Sequence, residues 1–199
     1  MKTDALTGTV IPRFLYDTPT RPGCDFCRLC AGPQPLLMVF LPNFGHPISR
    51  EYLRRYLQSF AQLQSGRLAC VVQSEPQRIA ALLGGAEFPF EVICDAEGVL
   101  YEHFGVKQTT SVLDWSLEAA RIFRAARADG YAPKKGEPQR LPLTLAVGPQ
   151  GQVLFAHHGQ SLTDLPEDCA AVERVCAGLQ PLYAEPAAAA EASAADASV

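Results

Sequence analysis

The sequence predicts an α/β fold in which helices flank a central mixed sheet. Leu36–Leu41 and Arg67–Gln73 are short, unbroken apolar runs of the kind found in strands that are covered on both faces. A helical pattern, roughly Pro47–Gln64, separates them, and such a βαβ unit pairs its two strands in parallel. Leu141–Val147 and Gln152–His157 are joined by a short turn of glycine and proline, which indicates an antiparallel hairpin.

The remaining elements follow from the same signals of periodicity and of turn residues. They are, in chain order, an edge strand within Thr9–Tyr16, a helix over Ser74–Leu83 ended by Gly84 and Gly85, a strand over Phe88–Asp95, helical turns over Ala96–Phe104, a helix over Leu113–Ala128, a polar loop over Tyr131–Arg140, and a helix over Pro166–Leu179. The 199 residues suit one domain with appendages. We divide the chain into an N-terminal extension (1–34), a core domain (35–183) and an Ala-rich tail (184–199), which is expected to be disordered because it has little to bury.

Composition excludes several classes of function. Hydrophobic residues make up 48% of the chain and charged residues 19%, the formal net charge is −4, and the longest basic run is Lys134-Lys135, so we expect no binding to nucleic acid. No apolar run approaches the ~20 residues that span a bilayer, and the first residues lack the hydrophobic core of a signal peptide. We therefore expect a cytoplasmic protein without membrane contact, and we assign no cofactor and no metal ion.

The turn after the first buried strand is the main candidate site. Pro47 suits the first position of a helix, which makes His46 the N-cap and places Ser49 within the first turn. The helix N-terminus disfavours a cation, so His46 is expected to be neutral at pH 7. His46 is either a capping residue or an acid–base or ligand-binding group. Ser49 is either a hydroxyl bound to the backbone or a nucleophile.

The letters FGHPISR at this turn resemble the Phe-Gly-Cys-Pro-x-Cys-Arg motif of thioredoxin-like redoxins. From about Leu36 to Leu179 the chain is similar to the redoxins of the alkyl-hydroperoxide-reductase and thiol-specific-antioxidant superfamily, which are peroxiredoxin-like. The resemblance implies a thioredoxin-like fold. It also implies that Pro142, in the segment Leu-Pro-Leu-Thr before the hairpin strand, is a cis-proline in contact with His46.

The chain departs from this family at each reactive position. His46 and Ser49 occupy the two cysteine positions, Asn43 occupies that of the peroxidases' threonine, and Pro142 that of their arginine. A histidine and a hydroxyl cannot carry out disulfide exchange, which requires a thiolate. We interpret the chain as a degenerate redoxin that binds a protein or a small molecule in the groove beside His46 and Pro142. Its oligomeric state does not follow from the sequence.

The cysteines offer an alternative function. Cys24, Cys27 and Cys30 recur at a spacing of three, which predicts one side of a short helix. They are packing residues, a relocated redox pair or part of a metal site, although zinc requires a fourth ligand. If the chain is an enzyme, these cysteines make it a thiol-dependent oxidoreductase or peroxidase with an antioxidant role. The remaining four, Cys70, Cys94, Cys169 and Cys176, are assigned to the core.

Overall fold

The computed structural model of the protein describes residues 4–110, 116–132 and 138–196. The strands are β1 (Leu15–Tyr16), β2 (Cys24–Asp25), β3 (Leu36–Leu41), β4 (Arg67–Val72), β5 (Glu91–Cys94), β6 (Gln108–Thr109), β7 (Gln139–Arg140), β8 (Leu143–Val147) and β9 (Val153–His158). The helices are α1 (Phe26–Cys30), α2 (Pro47–Ser59), α3 (Pro76–Leu83), α4 (Val99–His103), α5 (Leu117–Ala128) and α6 (Cys169–Asp196), and a 3₁₀ turn, Phe60–Gln62, follows α2.

The central sheet has five strands in the order β5-β4-β3-β8-β9. Strands β3, β4 and β5 are parallel, and β3 pairs with β4 from Leu36–Arg67 to Leu41–Val72. Strand β8 runs antiparallel to both β3 and β9. The predicted mixed sheet, its βαβ unit and its hairpin are therefore confirmed.

Strand β3 lies at the centre of two cores because successive side chains of a strand point to opposite faces. Leu37, Val39 and Leu41 pack in the core beneath α2, α5 and α6. Leu36, Met38 and Phe40 pack on the other face against residues of α1 and α4. All six residues of β3 are buried, which explains why the strand reads as a continuous apolar run.

Tyr101 of α4 ties the carboxyl ends of β3 and β4 together. Its side chain is fully buried, and its hydroxyl lies within hydrogen-bond distance of the carbonyl oxygens of Leu41 and of Val71, the latter at 2.8 Å. Asp95 fixes the start of α4, because its carboxylate accepts hydrogen bonds from the amides of Val99 and Leu100 at 2.9 and 2.8 Å. The edge of the sheet from which α2 departs is thus held by a side chain from another element.

Some boundaries differ from those predicted. The strand within Phe88–Asp95 is shorter, Glu91–Cys94, because Pro89 cannot donate to a ladder and the phenylalanines on either side of it pack on each other instead. The loop predicted over Tyr131–Arg140 contains β7, which pairs with β6. Residues 113–115, predicted to open α5, lie outside the described residues.

The last helix is also longer than expected. Its backbone continues past Leu179 to Asp196, which is consistent with the high helix propensity of alanine. The disorder of residues 184–199 in solution remains a prediction, which amide exchange would measure. Among the helices of the described residues, none has both the length and the apolar character required to cross a membrane.

The prediction of a cis peptide bond before Pro142 is wrong. The described residues contain no cis peptide bond, and the bond between Leu141 and Pro142 is trans. The Pro142 ring lies against Gly159, where an added Cβ would be only 2.6 Å from the Pro142 Cγ. The Pro142 carbonyl oxygen accepts a hydrogen bond of 2.8 Å from the Gly159 amide. Pro142 therefore joins the hairpin to the loop after it.

We expect Tyr101→Phe to lower the free energy of unfolding by about 1–3 kcal/mol, because two buried carbonyl oxygens lose their hydroxyl partner. Tyr52→Phe is the matched control, since the Tyr52 ring is equally buried but its hydroxyl donates one bond of 3.3 Å to a loop carbonyl, that of Thr163. Urea denaturation measures both values. An equal effect of the two substitutions would contradict the role assigned to Tyr101.

Candidate functional site

The turn between β3 and α2 is built around the helix N-cap. His46 has extended backbone angles, φ −70° and ψ 138°, and its Nδ1 accepts the Ile48 amide hydrogen at 3.3 Å. The His46 amide in turn donates to the Asn43 carbonyl oxygen at 3.0 Å. Pro47 follows at the first helical position, where its missing N–H costs nothing. His46 thus occupies the predicted N-cap and satisfies one of the free amides of the helix.

The ring of His46 is held on both nitrogens. Its Nε2 lies 2.6 Å from Oε1 of Gln139, and the side chain is only 4% exposed. Because Nδ1 accepts the Ile48 amide, we assign the proton to Nε2, which makes the imidazole neutral and a donor to Gln139. The ring also packs edge-on against Phe123, with centroids 5.3 Å apart. His46 is therefore a rigid, neutral wall of the site.

Ser49 takes a structural position. Its side chain is fully buried, and its hydroxyl donates to the Pro42 carbonyl oxygen at 3.1 Å. The hydroxyl proton is therefore used by the backbone, while both nitrogens of the neighbouring His46 ring face other groups. The pair consequently lacks the Ser–His hydrogen bond that activates a serine nucleophile.

A cavity of about 310 Å³ opens beside His46. We call it the turn cavity, and its lining residues are Pro42, Asn43, His46, Gln73, Gln108, Tyr131, Pro138, Gln139 and Arg140. They come from the β3–α2 turn, from the residue after β4, and from β6 and β7. Arginine is the one charged residue in this lining of described residues, and amide side chains supply most of the other polar groups.

Arg140 is a residue of this cavity that the sequence did not single out. Its guanidinium carbon lies 5.0 Å from the centroid of the Tyr101 ring, and its Nε donates to Oε1 of Gln73 at 3.2 Å. An arginine is thus present at the site, although Pro142 occupies the position that the resemblance assigns to it. Its position two residues before Pro142 is the available signal in the sequence, but Arg140 falls within the predicted polar loop.

Pro142 itself lies outside the lining of the turn cavity as the described residues define it. The groove that the sequence predicted beside His46 and Pro142 is therefore formed differently. Its far wall consists of Gln139 and Arg140, which strand β7 carries over the turn by pairing with Gln108 and Thr109.

The cysteine cluster does not share one side of a helix, so this prediction is wrong. Cys24 belongs to β2, and α1 begins only at Phe26 because the Asp25 carboxylate caps the amide of Cys27 at 2.9 Å. Cys27 is exposed and Cys30 is buried. The spacing of three therefore separates the thiols instead of aligning them.

Helix α1, which carries Cys27 and Cys30, also lies far from the β3–α2 turn. Helix α1 is tied to the sheet by Arg67, whose guanidinium binds the carbonyl oxygens of Leu29, Cys30 and Gln34, the latter two at 3.0 Å. Arg67 pairs with Leu36 at the amino end of β3, whereas the turn follows the carboxyl end. Six strand residues span roughly 17–20 Å, so the two features occupy opposite ends of the sheet. The thiols of α1 therefore do not lie beside the turn.

Most of the thiols are held in their protonated form. Burial raises the pKa of Cys30, Cys94 and Cys176 to about 12, and it also raises the pKa of Cys70 and Cys169. All seven cysteines are free thiols. Because the thiolate is the nucleophile, these five are poorly suited to redox catalysis at neutral pH.

The described residues contain no group of three or more His, Cys, Asp or Glu side chains placed to hold a metal ion. The two adjacent histidines of β9 lie near different carboxylates. His157 Nε2 is 3.0 Å from Asp164, and His158 Nε2 is 3.7 Å from Asp4.

Comparison with known proteins assigns the family. The sequence profile described as AhpC/TSA antioxidant enzyme matches residues 52–161, more than half of the chain. The chain belongs to the AhpC/TSA antioxidant enzyme family. The match begins after the β3–α2 turn and includes Arg140, so it does not depend on the FGHPISR motif. No curated protein sequence matches the chain.

Solved structures show the fold that the AhpC/TSA chain adopts. Peroxidoxin BcpB from Mycobacterium tuberculosis aligns over 88% of this chain and 96% of its own, with 16% identity and a TM-score of 0.55. A cysteine-to-serine mutant of peroxiredoxin 6 of Arenicola marina aligns over 87% and 73%, with 16% identity and a TM-score of 0.59. A PrxQ mutant of Xylella fastidiosa aligns over 91% and 98%, with 15% identity and a TM-score of 0.56. The predicted thioredoxin-like fold is confirmed.

We expect a thiol reagent to modify only Cys27 and Cys24 rapidly in the native protein, because Cys27 is exposed and Cys24 is half-buried. Cys94 is also half-buried, but it should react slowly because burial raises its pKa to about 12. Titration with an aromatic disulfide before and after denaturation counts the fast and slow thiols. Cys27→Ser should remove one fast equivalent, and Cys176→Ser, whose thiol is buried, none. Rapid modification of a third thiol in the folded chain would contradict the burial and the raised pKa values of the other five cysteines.

Proposed function

We propose that this chain is a degenerate redoxin, which keeps the fold of the AhpC/TSA family and binds a protein or a small ligand at the turn cavity without thiol chemistry. The main support for this proposal is the hydrogen bonding of the His46 ring. At the position of the first cysteine, the turn holds a neutral imidazole whose two nitrogens already have partners. His46 therefore forms part of the cavity wall and does not act as a nucleophile.

Chemistry at the turn supports this proposal. A redoxin of this type needs a thiolate, which helix amides stabilise. Here the Ile48 amide hydrogen is directed to His46 Nδ1, and the Ser49 hydroxyl hydrogen to the backbone. The hydrogen-bonding groups that would stabilise a thiolate are used instead to orient side chains around the cavity. A cytoplasmic location, which seven free thiols favour, is part of the proposal.

A second candidate function is a thiol oxidoreductase or peroxidase that uses the N-terminal cysteines. It is favoured by the exposure of Cys27 and by a cavity of about 540 Å³ whose lining includes Cys24, Arg21 and Arg28. Cys30 contributes little to this candidate, because its buried thiol has a pKa of about 12.

Peroxide consumption separates the two candidates. We expect the wild type to consume no hydrogen peroxide above background with a dithiol reductant, and to reduce no insulin disulfides. The control is a chain with Cys24→Ser, Cys27→Ser and Cys30→Ser. Turnover by the wild type that this control loses would overturn the degenerate assignment and establish the thiol enzyme.

We expect His46→Cys combined with Ser49→Cys to create a redox-active disulfide in an unchanged fold. Removal of the imidazole frees the Ile48 amide, which together with the helix N-terminus should lower the pKa of the first thiol below its usual value of about 8.5. Insulin reduction measures the gain, and each single substitution serves as a control because it lacks a partner thiol. A double variant that folds but remains inert would show that the turn is not a vacated dithiol site.

Ligand binding is tested by a fragment screen followed by ¹H–¹⁵N correlation spectra. We expect hits to shift the side-chain amides of Asn43 and Gln73, and Gln108→Trp to abolish those shifts by filling the cavity. Leu117→Trp is the control, because Leu117 is 94% exposed and does not line the cavity. Hits that shift only other regions would contradict the proposal.

A further inference from the structure

We propose that the turn cavity binds a small carboxylate through Arg140. This inference rests on the proposed function, whose ligand it assigns to a chemical class. The turn cavity has one cation in its described lining, no carboxylate to neutralise it, and several amide side chains around it. The described lining of the cavity therefore contains no negative charge that balances the charge of Arg140.

The guanidinium of Arg140 makes few contacts for a half-buried cation. Within the described residues its polar contact is the Nε bond to Gln73, and it forms no ion pair with them. By contrast, Arg55, another partly buried arginine of the same domain, lies within 4 Å of Glu51, Glu118 and Glu167. A buried or partly buried charge normally has such a partner. The two Nη nitrogens of Arg140 therefore remain for an anion from outside the chain.

The orientation of Arg140 is fixed before any ligand binds. One face of the guanidinium lies over the Tyr101 ring, and Nε is engaged by Gln73. Tyr101 is itself immobilised, since it is fully buried and bonded to the sheet. The edge formed by Nη1 and Nη2 is thus left available. That edge presents two parallel N–H groups, which match the two oxygens of a carboxylate.

Gly98 allows this arrangement. It has a φ of +78°, and an added Cβ would lie 2.7 Å from the Gln73 Nε2 and 3.3 Å from the Arg140 Nη2. A side chain at this position would therefore displace both members of the pair. The backbone of the loop before α4 thus makes room for Arg140 and Gln73 to lie side by side.

The size and the walls of the cavity restrict the ligand further. A volume of about 310 Å³ lies at the lower end of the range of small-molecule sites, so it suits a compact molecule and not a folded segment. Tyr131, Pro42 and Pro138 provide apolar surface, while Asn43 and Gln108 offer amide hydrogen bonds. His46 contributes shape, because its Nε2 is engaged by Gln139. A carboxylate with a short apolar body fits these walls.

The test compares benzoate with benzamide, which has the same ring but no charge. In a titration of the ¹⁵N-labelled full chain, benzoate should shift the Arg140 Nε–H and Gln73 side-chain signals saturably. Benzamide should bind at least about tenfold more weakly than benzoate, because it lacks the charge-assisted pair. A titration with inorganic phosphate at the same concentration tests whether the site selects a carboxylate over other anions. Tighter binding of phosphate than of benzoate would overturn the carboxylate assignment.

Two independent variants test the role of Arg140, so that the result does not depend on the stability of either one. Arg140→Gln should weaken benzoate binding by about tenfold or more. Gln108→Glu should do the same with Arg140 in place, because Gln108 is the cross-strand partner of Arg140 and would supply an internal carboxylate. Arg50→Gln removes an exposed cation of α2 that does not line the cavity, and it should leave the affinity unchanged.

The outcomes distinguish this inference from the proposed function. Equal affinity for benzoate and benzamide, with shifts at the cavity, would overturn the carboxylate assignment and leave ligand binding at the turn cavity intact. Benzoate binding that persists in both Arg140→Gln and Gln108→Glu would also overturn it. If neither these probes nor the hits of the fragment screen shift the cavity residues, both the inference and the proposed function fail.

Discussion

The burial of β3 on both faces is the constraint on which the rest of this structure depends. Its six side chains alternate between two cores, and the strand hydrogen-bonds to β4 on one side and to β8 on the other. Because both faces and both edges of β3 are covered, functional groups can be placed only where the chain enters and leaves this strand. The amino end lies beside the segment that Arg67 ties to the cysteine helix α1, and the carboxyl end leads into the turn that His46 caps. The two candidate sites are therefore kept apart by the length of one strand.

Fold and candidate site share a residue at the carboxyl end of the sheet. Tyr101 bonds the carbonyl oxygens of β3 and β4, and the face of the same ring supports Arg140. The hydroxyl of the tyrosine thus stabilises the sheet while its π face orients the cation. This double use explains how a half-buried arginine is kept in one orientation in a loop region. Replacing the ring would disturb both the edge of the sheet and the cavity, whereas Tyr101→Phe separates the two roles because it keeps the ring.

The match to the AhpC/TSA family does not depend on the β3–α2 turn. The family profile matches residues after the turn, and those residues build most of the sheet, the Tyr101 support and the Arg140 side of the cavity. Both turn residues support this framework, because His46 caps α2 through Nδ1 and Ser49 bonds the backbone within the same turn. A histidine and a serine at these two positions are therefore compatible with the fold. Five of the seven cysteines are buried or have a raised pKa.

The sequence by itself determined the features that arise from local interactions. The apolar run of β3, the N-cap at His46 with Pro47 after it, and the glycine-bearing hairpin turn each follow from neighbouring residues, and each was predicted. The tertiary structure alone decided the features that depend on distant partners. Arg140 reaches the cavity only because two residues of β7 pair with Gln108 and Thr109, about thirty positions earlier, and such a short ladder leaves no periodicity in the sequence. Packing also set the trans bond before Pro142, whose ring lies against Gly159. It likewise placed Cys27 in solvent and Cys30 in the core. The same residue types are compatible with either arrangement until the surrounding elements are in place.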